Sequence, residues 1–456
     1  MTGTRTVVMV FVAMLTLQSG AVAQEMKAPP RIAPDERYKA DILLIVAHPD
    51  DETMITGYLA RAIYDQHKRV AVIYGTRGDG GGNTVGEEQA ASLGAVREIE
   101  ARRACASMGI LNVWFLNGPD TPGQDVLRSL ETWHHGAALE QMVRLVRLTR
   151  PEVILTWLPV YVVGENHGDH QAAGVIATEA FDLAADPTAF AEQIAPPRNR
   201  LNISNLTEGL RPWQPKKLYY FSDASHAEFI NGKGPQYATT DLSPSRNLPY
   251  FRLSADEWRY HLTQGEVSQV AGQAIESGDF HELQQPERFI FGKSLVKSSA
   301  TDDLFAGVTA DAVAFAPVRG YRSGERAGIA VELGGPWAFY REFWRAHNLE
   351  PLADLLAPEA GAQSGNALIV PLIIRNDTSE AKEIKLATLL PAGWTERARF
   401  NLFTIPAHES YPLQVAVVPS GQAKQWQEVS WKVEAKDTPS AMLKLRVFTA
   451  GGGLPQ

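Results

Sequence analysis

The stretch Ile42-Leu43-Leu44-Ile45-Val46-Ala47-His48-Pro49-Asp50-Asp51-Glu52 decides how this chain folds. Five consecutive aliphatic residues without polar alternation read as a strand buried on both faces, as in a parallel sheet. Four chemistry-bearing side chains follow at once. The next segment, Thr53 to Gln66, reads as a helix, with Ile55, Leu59 and Ile63 at four-residue spacing. In an open α/β sheet such a strand delivers its loop to the crevice at the carboxyl end, where ligands bind. Capping by Asp50 or Asp51 would explain one acid of the cluster, not all of them. The stretch therefore points to a metal-dependent hydrolase centred on His48, Asp50, Asp51 and Glu52.

The flanking chain repeats the pattern. Short apolar runs at Arg69–Tyr74, Val113–Leu116, Val153–Trp157 and Leu218–Phe221 read as strands. Helical segments are expected at Glu87–Met108, Leu130–Thr149, Gln171–Ala185 and Asp256–Glu276. This alternation predicts a Rossmann-like, doubly wound, mainly parallel sheet. A glycine-rich loop, Gly75-Thr76-Arg77-Gly78-Asp79-Gly80-Gly81-Gly82, leaves the second strand beside the same crevice. It matches neither dinucleotide- nor P-loop spacing, so a phosphate cradle is a weak reading of it. Glu100 falls on the apolar stripe of its helix, where it either pairs with Arg97, three residues away, or faces substrate. Cys105, between Ala104 and Ala106, reads as a small core residue.

From Thr301 onward the periodicity changes to two. Leu368–Ile374, Ile384–Leu389, Leu413–Val417, Val429–Val433 and Leu443–Val447 read as strands of a small all-β sandwich. Trp394 and Trp431 are expected in its core. The domain reading is 38–300 for the α/β domain, 301–360 for a connector and 361–452 for the sandwich. The aromatic-rich segment Gly334 to His347 is expected to pack between the two.

Arg5, the apolar run Val7–Leu17 and Ala21-Val22-Ala23 form a signal-peptide pattern over 1–23, with cleavage before Gln24. The mature protein is then expected to be exported, periplasmic or extracellular, with no stable membrane span. One cysteine in 456 residues leaves no internal disulfide. A net charge of −9 without a long Lys/Arg run disfavours nucleic-acid binding.

A second cluster, Asn166-His167-Gly168-Asp169-His170, lies just beyond the fourth strand. A catalytic zinc site takes three protein ligands and one open position. His48, Asp51 and His170 make such a two-His-one-carboxylate set. A carboxylate outside that set serves as general base, with Asp50 the natural candidate. His167, oriented by Asp169, is placed to stabilise an oxyanion.

Four motifs carry a resemblance. Ala-His-Pro-Asp-Asp-Glu at 47–52, Thr-Arg-Gly-Asp-Gly-Gly at 76–81, Arg-Glu-Ile-Glu-Ala-Arg-Arg-Ala at 97–104 and His-Gly-Asp-His at 167–170 resemble the PIG-L/LmbE-like de-N-acetylases over about 40–300. The resemblance implies one Zn2+ per chain (iron or another divalent metal in its place) on His48, Asp51 and His170. It assigns the base role to Asp50 rather than Asp51, the oxyanion or leaving-group role to His167 with Asp169 behind it, and sugar contact to Arg97. The implied substrate is a small sugar or glycoconjugate containing N-acetylglucosamine. Other N-acyl or thiol-conjugate amides, and non-catalytic sugar or nucleotide binding, remain open at this point. Two departures stand out. Glu165 occupies the place of a family tyrosine that Tyr161 could replace, and Glu266-Val267-Ser268-Gln269 stands where His-x-Ser-Gln is expected. The sandwich resembles Ig-like modules of secreted carbohydrate enzymes.

Overall fold

The computed structural model describes residues 33–161, 167–194, 209–223, 230–315, 328–355, 358–397, 400–421 and 425–450. The expected signal peptide at 1–23 and Glu165 lie outside these residues.

Strands β1 (Ile42–Val46), β2 (Val70–Thr76), β3 (Asn112–Gly118), β4 (Val153–Trp157), β5 (Lys217–Phe221) and β6 (Ile290–Ser294) form one sheet in the order β6-β5-β4-β1-β2-β3. All neighbours are parallel except β6, which runs antiparallel to β5. β1 sits at the centre, and all five of its residues are at most 1% exposed. Each such aliphatic side chain contributes about 1.5–3 kcal/mol by leaving water. The strand order reverses between β1 and β4. Their carboxyl ends therefore face a crevice on the midline of the sheet.

The helices follow the expected order but several break. The segment after β1 begins as a 3-10 turn at Asp51–Ile55, becomes helix α1 only at Thr56–Ala60, and widens to a π turn at Arg61–Asp65. Glu287 meets the start of α1. Its two carboxylate oxygens accept from the backbone N–H groups of Gly57 and Tyr58 at 2.7 and 2.5 Å. Those donors are in the first turn of α1, where N–H groups have no partner within the helix. Helix α2 spans Ala90–Ser107. The helix expected over Leu130–Thr149 is two, α3 (Val126–Thr132) and α4 (His135–Thr149), parted at His134 with φ 52°. Trp133 is the C-cap residue of α3 at this break. Its indole lies under β2 and β3, and a Cβ on Gly75 would fall 2.3 Å from the ring. Helix α5 spans Gly168–Leu183 and starts three residues earlier than expected. The helix expected over Asp256–Glu276 is also two, α6 (Tyr250–Trp258) and α7 (Gly265–Ser277), with an irregular stretch at 259–264.

Strand β7 (Ile329–Leu333) comes next, then helix α8 (Pro336–Ala346). The remaining strands are β8 (Glu359–Gln363), β9 (Leu368–Asn376), β10 (Lys382–Leu389), β11 (Thr395–Arg397), β12 (Leu402–Ile405), β13 (Glu409–Val418), β14 (Gln425–Ala435) and β15 (Thr438–Ala450). They pack as two sheets, β7-β9-β13-β11 and β8-β15-β14-β10-β12. The sandwich thus takes its first strand from inside the expected 301–360 connector, since β7 pairs with β9 from Ile329 to Leu333. Trp394 and Trp431 are buried in its core. Helix α8 bridges the two units. Tyr340, Phe343 and Trp344 belong to the α/β core, while Trp337 packs on the sandwich core. Among the described residues no helix is long and apolar enough to cross a membrane.

Candidate metal and catalytic site

β1 and β4 deliver their loops side by side. His48 Nδ1 and His170 Nε2 lie 3.1 Å apart, and Asp51 Oδ1 is 3.7 Å from the first and 3.3 Å from the second. Every remaining polar atom of this trio is directed away from that point. Asp51 Oδ2 accepts from the backbone N–H of Ala47 (2.8 Å) and His48 (2.9 Å) and from the indole N–H of Trp157 (2.6 Å). His48 Nε2 faces the carboxylate of Asp169 at 3.4 Å, and His170 Nδ1 faces that of Asp223 at 3.4 Å. Trp157 stacks flat on His170, with centroids 4.0 Å apart and planes 4° apart. Three converging donors, each oriented by an outer carboxylate or amide, are the arrangement of a metal site.

The electrostatics agree. Burial opposes charge on His170, but Asp51 and Asp223 outweigh it and raise its pKa to about 9. His48 is likewise held well above its ordinary value by Asp169 and Asp51 against the cost of burial. Despite burial, the two imidazoles hold Asp51 well below the carboxylate range. The pocket therefore favours positive charge at this point, and a divalent cation satisfies the same field while releasing the two protons.

Asp50 flanks the trio. It precedes the 3-10 turn, yet its side chain makes no capping bond. The capping explanation for it fails, and its carboxylate lines the cleft. Burial, then the neighbouring Asp51, raise its pKa to about 6. His167 caps α5, and its Nδ1 accepts from the backbone N–H of Asp169 at 3.3 Å. That bond places the ring proton on Nε2. Burial and the nearby His48 push its pKa down, so the ring is neutral and Nε2–H is a donor.

The cleft has a volume of about 480 Å³ and is also lined by Arg97, Asp120, Thr121 and Gln264. Two sequence-based expectations change here, and one weak reading falls. Asp169 faces His48 more closely than His167, whose Nδ1 is 3.8 Å away, and its oxygens are further held by the N–H and hydroxyl of Thr121. Arg97 and Glu100 do not pair with each other. The Arg97 guanidinium donates to Gly78 O and Gly82 O at 2.8 Å each, and Glu100 accepts from Thr263 N and Oγ1 at 3.0 and 2.7 Å. Arg97 thus shapes the glycine loop while bordering the cleft. The loop is no phosphate cradle, because the amides of Gly78, Gly80 and Gly81 bond to Thr76, Asp120 and Gly78.

A His-x-Thr-Gln sequence lies five residues before Glu266-Val267-Ser268-Gln269, the stretch that stands where His-x-Ser-Gln is expected. His261-Leu262-Thr263-Gln264, in the stretch between α6 and α7, supplies Gln264 Nε2 to Pro49 O. It also supplies His261, whose Nε2 is 3.0 Å from Glu52 and 3.5 Å from Glu257. A threonine in the serine position concealed it. The sequence reading missed Asp120 and Asp223; the signal for each is an acid two residues past the end of a strand, β3 and β5. Tyr161 is absent from the residues lining the cleft.

An open α/β sheet with a two-histidine, one-carboxylate centre at its switch point defines a metal-hydrolase-like class of domain. Residues 43–181 match the family model described as PIG-L, GlcNAc-PI de-N-acetylase. A 1D-myo-inositol 2-acetamido-2-deoxy-alpha-D-glucopyranoside deacetylase of Frankia alni is 29% identical over 306 residues, 58% of this chain and 99% of the relative. The deacetylase of the same description from Thermobifida fusca is 26% identical over 282 residues, 54% of this chain and 91% of the relative. The solved structure of N,N'-diacetylchitobiose deacetylase from Pyrococcus horikoshii is similar at 18% identity and TM-score 0.38, covering 55% of this chain and 83% of that one. Over its α/β domain the chain is similar to the PIG-L/LmbE-like de-N-acetylases, and a C-terminal β domain follows.

Proposed function

We propose that this chain is an exported zinc-dependent amide hydrolase that removes the acetyl group from an N-acetylglucosamine-containing sugar or glycoconjugate. The observation that carries the reading is the convergence of His48 Nδ1, His170 Nε2 and Asp51 Oδ1 on one point beside the unbonded carboxylate of Asp50. The named activity of the Frankia alni and Thermobifida fusca relatives supports the substrate class.

His48, Asp51 and His170 would hold the cation. When bound, it supplies Lewis acidity at the acyl carbonyl and lowers the pKa of water at the site. Asp50 takes the proton of the attacking water and returns it to the departing amine, which leaves as the free amino sugar with acetate as co-product. His167 Nε2–H donates to the carbonyl oxygen as negative charge develops there. Trp157, Asp169 and Asp223 hold the ligand side chains in orientation. Arg97 and Asp120 border the space left for the sugar.

The test is acetate release from N-acetylglucosamine oligomers and from acetylglucosaminyl-inositol, with metal content measured on the same preparation. About one zinc per chain and release lost on chelation support the reading. A metal-free protein that stays inactive when offered zinc sinks it. N-terminal sequencing of secreted protein checks export, with Gln24 as the expected first residue.

A further inference from the structure

Helix α5 carries His167 at its cap and His170 in its first turn, and the side chain next to His170 is Gln171, which is fully buried. Among the described residues, Gln171 bonds to two partners outside its own helix. Its Nε2 donates to Gln124 O at 3.2 Å, and its Oε1 accepts from the hydroxyl of Tyr340. Tyr340 lies on α8, which follows the first strand of the sandwich, and is 1% exposed. Tyr161, just past the end of β4, lies near the same hydroxyl.

This phenol therefore ties α8 to the first turn of α5, at one flank of the connection from β4. Gln124 ends the loop whose Thr121 holds Asp169, whose Gly123 O accepts from Gly168 N at 2.9 Å, and whose Asp120 borders the cleft. A second tie between the same helices lies far from the loop. His347 Nδ1 meets Asp182 Oδ2 at 2.6 Å near the carboxyl end of α5.

We propose that Tyr340 is a positioning residue for the metal and catalytic histidines, so that the C-terminal unit completes the site and is not an independent appendage. Its hydroxyl fixes Gln171, Gln171 fixes the first turn of α5 and the Gln124 carbonyl, and those set His167, His170 and Asp169. The part of the inference that concerns turnover rests on the function proposed above, and the part that concerns metal holding does not.

The experiment uses the full chain and two variants, Tyr340→Phe and His347→Gln. Zn2+ affinity is read by competition with a chromophoric chelator, and kcat and KM by acetate release. Outer groups that orient metal ligands are worth about 10–100-fold in affinity or activity. Tyr340 acts one bond further out, so Tyr340→Phe is expected to weaken zinc by about five- to ten-fold and to lower kcat by a similar factor. KM stays within about two-fold, because Arg97 and Asp120 are untouched. His347→Gln is expected to lower the thermal midpoint while leaving zinc affinity and kcat at the parent values.

A Tyr340→Phe protein that holds zinc as tightly as the parent overturns the proposal. So does a His347→Gln protein that loses zinc affinity equally, since that pattern is general loosening. If zinc affinity falls only in Tyr340→Phe while even the parent releases no acetate, the positioning role stands and the substrate reading fails.

Discussion

Trp157 and Asp51 are joined by an indole N–H donating to a carboxylate oxygen at 2.6 Å, across the two central strands of the sheet. The same indole stacks on His170. One residue at the end of β4 thus aligns two candidate ligands from different loops. Replacing it by phenylalanine keeps much of the stacking and deletes the donor. A hydrogen bond to a charged group contributes about 1.5–3 kcal/mol. Trp157→Phe should weaken zinc binding by about ten-fold or more in chelator competition. Unchanged affinity would show that the bond does not orient Asp51.

Asp50 makes no capping bond and faces the cleft, so Asp50→Asn should leave metal content and thermal stability close to the parent. Loss of a general base costs about 10²–10⁴ in rate. A drop in kcat of that size at constant zinc content is the expected result. Retention of activity would move the base role elsewhere.

The pH profile follows from the same carboxylate. Burial and then Asp51 raise its pKa to about 6, and it must be ionised to accept a proton. Activity should therefore be lost as pH falls through this value. A cation on Asp51 removes part of the upward push, which places the acidic limb at or below about pH 6. The rate of Asp50→Asn, small as it is, should show no such limb. An acidic limb well above pH 7 in the parent would contradict this assignment.

Metal removal should act on stability as well as rate. A ligand that binds only the folded state at 100 times its Kd stabilises by about 2.7 kcal/mol. Dialysis against a chelator should therefore lower the thermal midpoint by several degrees, and zinc should restore it. Asp51→Ala should show neither the loss nor the restoration, since its carboxylate oxygen is one of the three converging donors.

Gly75 is tested by packing alone. A methyl group there would sit 2.3 Å from the Trp133 ring, which is buried between the ends of β2 and β3 and tied by its N–H to Pro119 O at 3.0 Å. Gly75→Ala should destabilise by about 1–3 kcal/mol, the usual cost of overpacking. Equilibrium urea unfolding measures it. A value near zero would mean that the indole has room to move.

The chain's local signals determined much of this architecture. A central strand buried on both faces must be uniformly apolar, so β1 was legible to within a residue at each end. β4 matched its expected bounds at Val153–Trp157 because Pro151 punctuates its start. His48, Asp50, Asp51, His167 and His170 were legible because chemistry at the carboxyl end of a strand leaves a dense polar cluster after an apolar run. Only the tertiary structure decided what depends on contacts distant in sequence. The start of α1 after Asp51 is capped by Glu287, 230 residues from Gly57. Asp169 turns toward His48 because Thr121 and His48 reach it from other loops. Arg97 and Glu100, spaced to pair on one helix, bond instead to Gly78, Gly82 and Thr263. Tyr340 reaches the metal-ligand helix across 169 residues of sequence. Periodicity and motif spacing report the environment along one segment, whereas a hydrogen bond between segments is set by how they pack.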